Sequence, residues 1–180
     1  ITGKISGVAG QSRFAARYSS LAGKTLLPHW LMHLLLNAVG SQTTTRLLLR
    51  EDDIVLPPVA KADVERLLGG VLAVYAQSIG ALLPVFVDLF FHIAERDKKE
   101  EAEEKLLAQI DRFYERDEYA KGLADNEYDY YLFGARPPEY ETLIATARTL
   151  FAGIFDCMKT QAHAQQLLHN GQGARADADV

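Results

Sequence analysis

One cysteine in 180 residues, Cys157, leaves no partner for an internal disulfide and fits a reducing compartment. Long apolar runs are missing as well. The longest, Ala81 to Ala94, is too short to span a bilayer and is broken by Pro84 and Asp88. No Gly-x-Ser-x-Gly occurs, so Ser19 and Ser20 have no nucleophile-elbow context and a Ser–His hydrolase has no support. Gly69-Gly70 lacks the following Lys-Ser/Thr pair that a phosphate loop needs. A basic surplus is lacking overall, the net charge being −5. Residues 1–80 carry eight Lys/Arg against five Asp/Glu, and residues 81–180 carry eleven against nineteen. Because phosphate neutralisation drives nucleic-acid affinity, the second half is a poor DNA surface, whereas the first half can supply a modest contact. No secretory signal or internal repeat is visible. The chain opens on Ile1 within a strand pattern, so the expectation is a C-terminal fragment of a longer chain.

What is present is an ordered series of elements. Residues 1–8 alternate apolar with small or polar side chains, Ala9 to Ser12 is turn chemistry, and residues 13–20 alternate again, with Phe14, Ala16 and Tyr18 on one face. Two such runs around a short Gly-containing loop predict a hairpin. An apolar helix follows from about Thr25 to Val39, closed by Gly40, and a Thr/Leu-rich strand over about 43–49 returns to the sheet. The fold class expected is therefore α/β (α+β): a small mixed sheet with strands at about 1–8, 13–20 and 43–49, and additional C-terminal helices. Arg50 to Asp53 reads as a turn and Ile54-Val55-Leu56 as one more short strand, stopped by Pro57-Pro58. Helices are expected over 61–79, 85–95, 98–118 and 139–168 from apolar residues recurring at spacings of three and four. Residues 122–138 read as a loop holding the cluster Glu127 to Phe133, pinned by its aromatics or offered to a partner. The domain expectation is one domain over 1–169 and a disordered tail over 170–180.

Few residues form a chemical constellation. His29 and His33 have the spacing of a metal pair on one helix face, but Trp30 stands where a zincin-type site needs glutamate, and no third ligand is suggested. What remains is a polar stripe, His29, His33 and Asn37, on an otherwise apolar helix; it must face something polar. Asp52 and Asp53 are adjacent and diverge as turn residues.

Strand, turn, strand, then a helix with a polar stripe resembles the core of the PD-(D/E)xK nucleases. Gly3-Lys4-Ile5-Ser6 is similar to the first-strand Gly-x-Ile-Asp of the RecB-type branch, with Ser6 in place of the metal-binding aspartate. Arg17-Tyr18-Ser19-Ser20 is similar to Asp-Tyr-Lys-Ser, with Arg17 for the acid and Ser19 for the lysine, and His33 and Asn37 fall at the Gln and Tyr places of the helix. Such a nuclease needs carboxylates to hold Mg²⁺ and a lysine beside the attacking water. The resemblance thus implies a nuclease-like fold with Ser6, Arg17, Ser19, His33 and Asn37 as degenerate positions, no catalytic residue, no metal and no cofactor.

The chain also resembles the RecC C-terminal domain family. The helix Leu27-Pro28-His29-Trp30-Leu31-Met32-His33-Leu34, the order Val55-Leu56-Pro57-Pro58-Val59 then Leu82-Leu83-Pro84-Val85-Phe86, and Asn126 to Tyr131 carry the likeness, over about residues 1–158. It implies a non-catalytic subunit domain of the RecBCD double-strand-break repair helicase–nuclease (exodeoxyribonuclease V). The roles implied are subunit assembly, duplex splitting and strand guidance with Chi recognition. The partners implied are RecB, RecD and, through the full complex, DNA, in the bacterial cytoplasm and without a membrane. Two alternatives stay open: an active Mg²⁺-dependent exonuclease using Glu51, Asp52 and Asp53, and a helical interaction adaptor without nuclease ancestry.

Overall fold

A computed structural model describes residues 4–81, 83, 85–115 and 139–176, with side chains described as far as residue 158. The chain runs β1 (Val8–Ala9), β2 (Ser12–Ala16), α1 (Gly23–Ala38), β3 (Thr44–Leu48), β4 (Asp53–Leu56), α2 (Lys61–Gly80), α3 (Val87–Lys98), α4 (Glu103–Tyr114) and α5 (Tyr140–Ala176). The four strands form one mixed sheet in the order β1-β2-β3-β4. β1 and β2 are an antiparallel hairpin, β2 and β3 are parallel with α1 as the crossover, and β4 returns antiparallel to β3. The expected mixed sheet with its crossover helix is therefore present, and an all-helical adaptor is not.

The hairpin is shorter than the sequence pattern suggests. Its two-residue loop is Gly10-Gln11, with positive φ at Gly10 (58°), the first-position glycine that a II′ turn requires. The ladder stops at Val8 because Gly7 sits at φ 78°, outside the β region, although its carbonyl still accepts from the Phe14 N–H at 2.9 Å. The expected strand over 1–8 thus reduces to Val8–Ala9 among the described residues; residues 1–3 lie outside them. β2 ends as a regular strand at Ala16, but Arg17 N–H donates to Leu48 O and Arg50 N–H to Ser19 O, so the chain follows β3 as far as Ser19.

The alternation in β2 has the opposite sense to an apolar-in strand. Phe14 is 52% exposed and Tyr18 92%, while Arg13 is 3% exposed. Phe14, Ala16 and Tyr18 do share a face, but it is the open one. The covered face carries Arg13 and Ala15 from β2, Thr45 and Leu47 from β3, and Leu56 and Ile54 from β4, each row set by the register. α1 packs on β3 and α5 on β4, with α3 between α1 and α5. The core joins Leu26, Trp30 and Leu34 of α1 to Leu89, Phe90 and Ile93 of α3 and Leu143, Ala147, Phe151 and Ile154 of α5.

The helices differ from the sequence reading in three respects. The charged helix expected over 98–118 begins only at Glu103, because α3 closes at Lys98 in a Schellman turn. There Glu100 takes φ 54°, Glu101 N–H bonds to Arg96 O and Glu100 N–H to Asp97 O. α2 buries only Val64 fully, and Leu72 and Tyr75 of its expected stripe are 52% and 62% exposed. α5 runs on to Ala176, past about Leu168 where the helix was expected to end; no proline occurs between 159 and 176 to stop it. The loop expected over 122–138, with the Asn126–Tyr131 segment, and Leu82 and Pro84 lie outside the described residues.

Candidate functional site

The polar stripe of α1 meets the covered face of the sheet and is almost fully buried there. His33 (0% exposed) bridges two partners. Pro57 O can only accept, so His33 Nε2–H donates to it at 3.0 Å; Nδ1 is then the acceptor for the Thr45 hydroxyl, also at 3.0 Å. Asn37 is saturated by backbone. Its Nδ2 donates to His33 O (2.9 Å) and Thr43 O (3.1 Å), and its Oδ1 accepts from Thr43 N–H (3.1 Å). His33 and Asn37 therefore clamp α1 to β3 and to the segment after β4. Burial depresses the His33 pKa to about 4, an effect that the bond to Pro57 opposes and nearby Arg13 reinforces. The ring is neutral at pH 7, and with both nitrogens engaged it has no lone pair left for a metal.

One turn earlier on α1, the stripe meets a cation. Arg13 Nη2 donates to His29 Nδ1 at 3.1 Å and to Met32 Sδ at 3.1 Å. Arg13 Nε and Nη1 are buried and have no hydrogen-bond partner among the described residues. Because arginine only donates, His29 Nδ1 must be the acceptor, which places the His29 proton on Nε2. Burial first, then the charges of Arg13 and Arg17, lower the His29 pKa, so this imidazole also stays neutral.

Next to this pair lies a cleft of about 430 Å³ between the end of β2 and the first turns of α1, lined by Arg17, Ser19, Lys24, Thr25, His29 and Met32 among others. Among the described residues, no carboxylate lines it. The closest acid with a bond to its rim is Asp88 at the start of α3, which accepts from the Lys24 backbone N–H at 3.0 Å and lies 3.5 Å from Lys24 Nζ. Arg17 is exposed and has no ion pair among the described residues.

Of the residues proposed from the sequence, Arg17 and Ser19 come together in the cleft with His29. His33 and Asn37 lie beyond it, inside the clamp, and Ser6 is exposed and does not line it. Arg13, Thr43 and Thr45 were missed. The signal for Arg13 was its parity: it shares a strand face with Ala15 and Arg17, but alternation alone did not say which face is covered. Glu51, Asp52 and Asp53 do not converge. Glu51 pairs with Arg50 at 2.7 Å, and Asp53 sits opposite Leu48 on the open face and 3.5 Å from Arg46. Among the described residues, no group of three or more His, Cys, Asp or Glu is placed to hold a metal. The donor set of the cleft, two cations and neutral donors, does not fit a hard divalent cation, which needs anionic oxygen ligands.

Fold and site together define a mixed α/β domain whose crossover helix faces the sheet through buried polar groups and whose adjoining cleft is lined by cations and by no acid among the described residues. Residues 1–98 match the family described as RecC C-terminal domain, and the chain belongs to that family. Membership implies a place in the RecBCD complex. No curated protein matches the chain. The match ends with α3, so α4, α5 and the Asn126–Tyr131 segment lie beyond it. Among the described residues no helix is long and apolar enough to cross a membrane.

Proposed function

We propose that this chain is a non-catalytic domain of a RecBCD-type helicase–nuclease, in which a nuclease-like core serves subunit assembly and strand guidance. The observation that carries the reading is Arg13. A buried guanidinium, with two nitrogens unpartnered, stands on the covered sheet face beside the cleft and would repel the Mg²⁺ that a nuclease of this architecture must bind. Ser6, Arg17, Ser19, His33 and Asn37 are read as the degenerate motif positions; two of them now hold helix to sheet. The continuous core shared by the sheet and α5 supports one domain over 1–169. RecB and RecD are the expected partners, with duplex splitting and Chi recognition as functions of the whole bacterial cytoplasmic complex.

Two assays on the purified chain test this. Exonuclease activity on linear duplex in Mg²⁺ is expected to stay at background, and RecB and RecD are expected to retain the chain in a pull-down. Mg²⁺-dependent cleavage that is lost in Glu51→Ala, Asp52→Ala or Asp53→Ala would sink the non-catalytic reading; failure to associate with either subunit would sink the assembly reading.

A further inference from the structure

We infer that the cleft between the end of β2 and the first turns of α1 is an oxyanion site for a phosphate group, and that the group it takes is a backbone phosphate of single-stranded DNA. The site itself follows from the geometry of the cleft; the backbone source rests on the strand-guidance reading above.

Four features support an anion there. First, the charged side chains that line the cleft among the described residues, Arg17 and Lys24, are both cationic. Arg17 has no ion-pair partner among the described residues, and Lys24 is 76% exposed and only loosely paired at 3.5 Å. Second, a further positive charge stands behind the wall. Arg13 is 97% buried, bonds to the cleft residues His29 and Met32, and has no carboxylate partner among the described residues. An uncompensated buried charge is costly, and an anion in the adjoining cleft would offset part of that cost. Third, the neutral groups are donors. The Ser19 and Thr25 hydroxyls lie 3.4 Å apart at the cleft wall, and the tautomer that Arg13 imposes leaves His29 Nε2–H as a donor with no partner among the described residues. Fourth, Asp88, the carboxylate that bonds to the rim, faces Lys24 and is paired with neither Arg13 nor Arg17. A cleft of about 430 Å³ accommodates a phosphodiester group with its flanking sugars and is too open to enclose a small ligand tightly, which suits a strand that slides.

The contacts are to phosphate only, so recognition is independent of base sequence. Arg17 is the principal contact because it is exposed and unpaired; Lys24 is the secondary one. Arg13 acts through His29 and through its charge, not by touching the phosphate.

The test is fluorescence anisotropy of the chain with labelled oligo(dT) across a salt series, together with calorimetric titration of inorganic phosphate. Both are run on the wild type, Arg17→Ala, Lys24→Ala and the conservative Arg17→Lys, all surface changes that leave the core intact. Arg17→Ala is expected to weaken oligo(dT) binding roughly 5–20-fold and to reduce the salt slope by about 0.7, the value for one phosphate contact on a single strand. Arg17→Lys is expected to restore the slope. Phosphate binding that needs Arg17 while oligo(dT) binding ignores it would uphold the anion site and overturn its assignment to the DNA backbone. If neither ligand responds to Arg17 or Lys24, the site is overturned, whatever the outcome of the RecB and RecD pull-downs.

Discussion

Replacing Asn37 with alanine removes three hydrogen bonds at once, and the structure allows the loss to be sized. Thr43 is fully buried, and its N–H and carbonyl both bond to the Asn37 amide at 3.1 Å. Alanine cannot reach either group, and each buried backbone group left unpaired costs about 1–3 kcal/mol. Some relaxation or an entering water offsets part of this, so the expected loss is about 2–4 kcal/mol, which is large against the marginal stability of a domain of this size. In urea, with an m value of about 1–3 kcal/mol/M, the unfolding midpoint should fall by roughly 1–2 M at unchanged slope. Asn37→Asp is the informative control. It keeps the acceptor for Thr43 N–H but sets a carboxylate against the His33 and Thr43 carbonyls, so it should be worse than alanine at neutral pH and should recover on acidification. If Asn37→Ala unfolds within ~0.5 kcal/mol of the wild type, the range of an ordinary surface change, the clamp between α1 and β3 is not what holds the helix to the sheet.

Three further outcomes are expected. His33 has a folded pKa of about 4, below its ordinary 6.5, so the unfolded state binds more protons between these values; its contribution of about 3 kcal/mol is present above pH 6.5 and is lost as pH falls towards 4. His29 is lowered too and adds with the same sign, so His33→Gln should flatten, not abolish, the fall in urea midpoint measured from pH 7 to pH 4. Glu100 takes a left-handed conformation at φ 54°, so Glu100→Gly should raise stability by about 0.5–1 kcal/mol and the melting temperature with it; a lower melting temperature would argue against the Schellman turn. A Cβ at Gly23 would overlap the Val87 carbonyl oxygen and approach Phe91 Cβ to 2.9 Å, so Gly23→Ala should cost about 1–3 kcal/mol by forcing α1 and α3 apart, seen as a drop in melting temperature.

The layer between α1 and the covered sheet face is filled by Arg13, His29, His33, Asn37 and Thr45, a set whose members bond to each other and to backbone.

Local pattern alone was enough for the hairpin, the crossover helix, the return strand and the inward stripe of α5. Each depends on a period or a turn residue carried within a few positions: Gly10 for the tight loop, and Leu143 to Phe155 at helical spacing for the stripe. The polar stripe His29, His33 and Asn37 was visible too, together with its need for a polar partner. Tertiary structure decided what that partner is. Alternation in β2 states which residues share a face but not which face is covered, because Phe14 and Arg13 are equally consistent with either side until α1 is laid on one of them. The same assembly step brings Thr43, Thr45 and the Pro57 carbonyl to the stripe from 6 to 24 residues away, turning His33 and Asn37 from candidate site residues into a clamp. It also gathers Arg17, Lys24 and His29 into one acid-free cleft, since charge is summed in space and not along the chain.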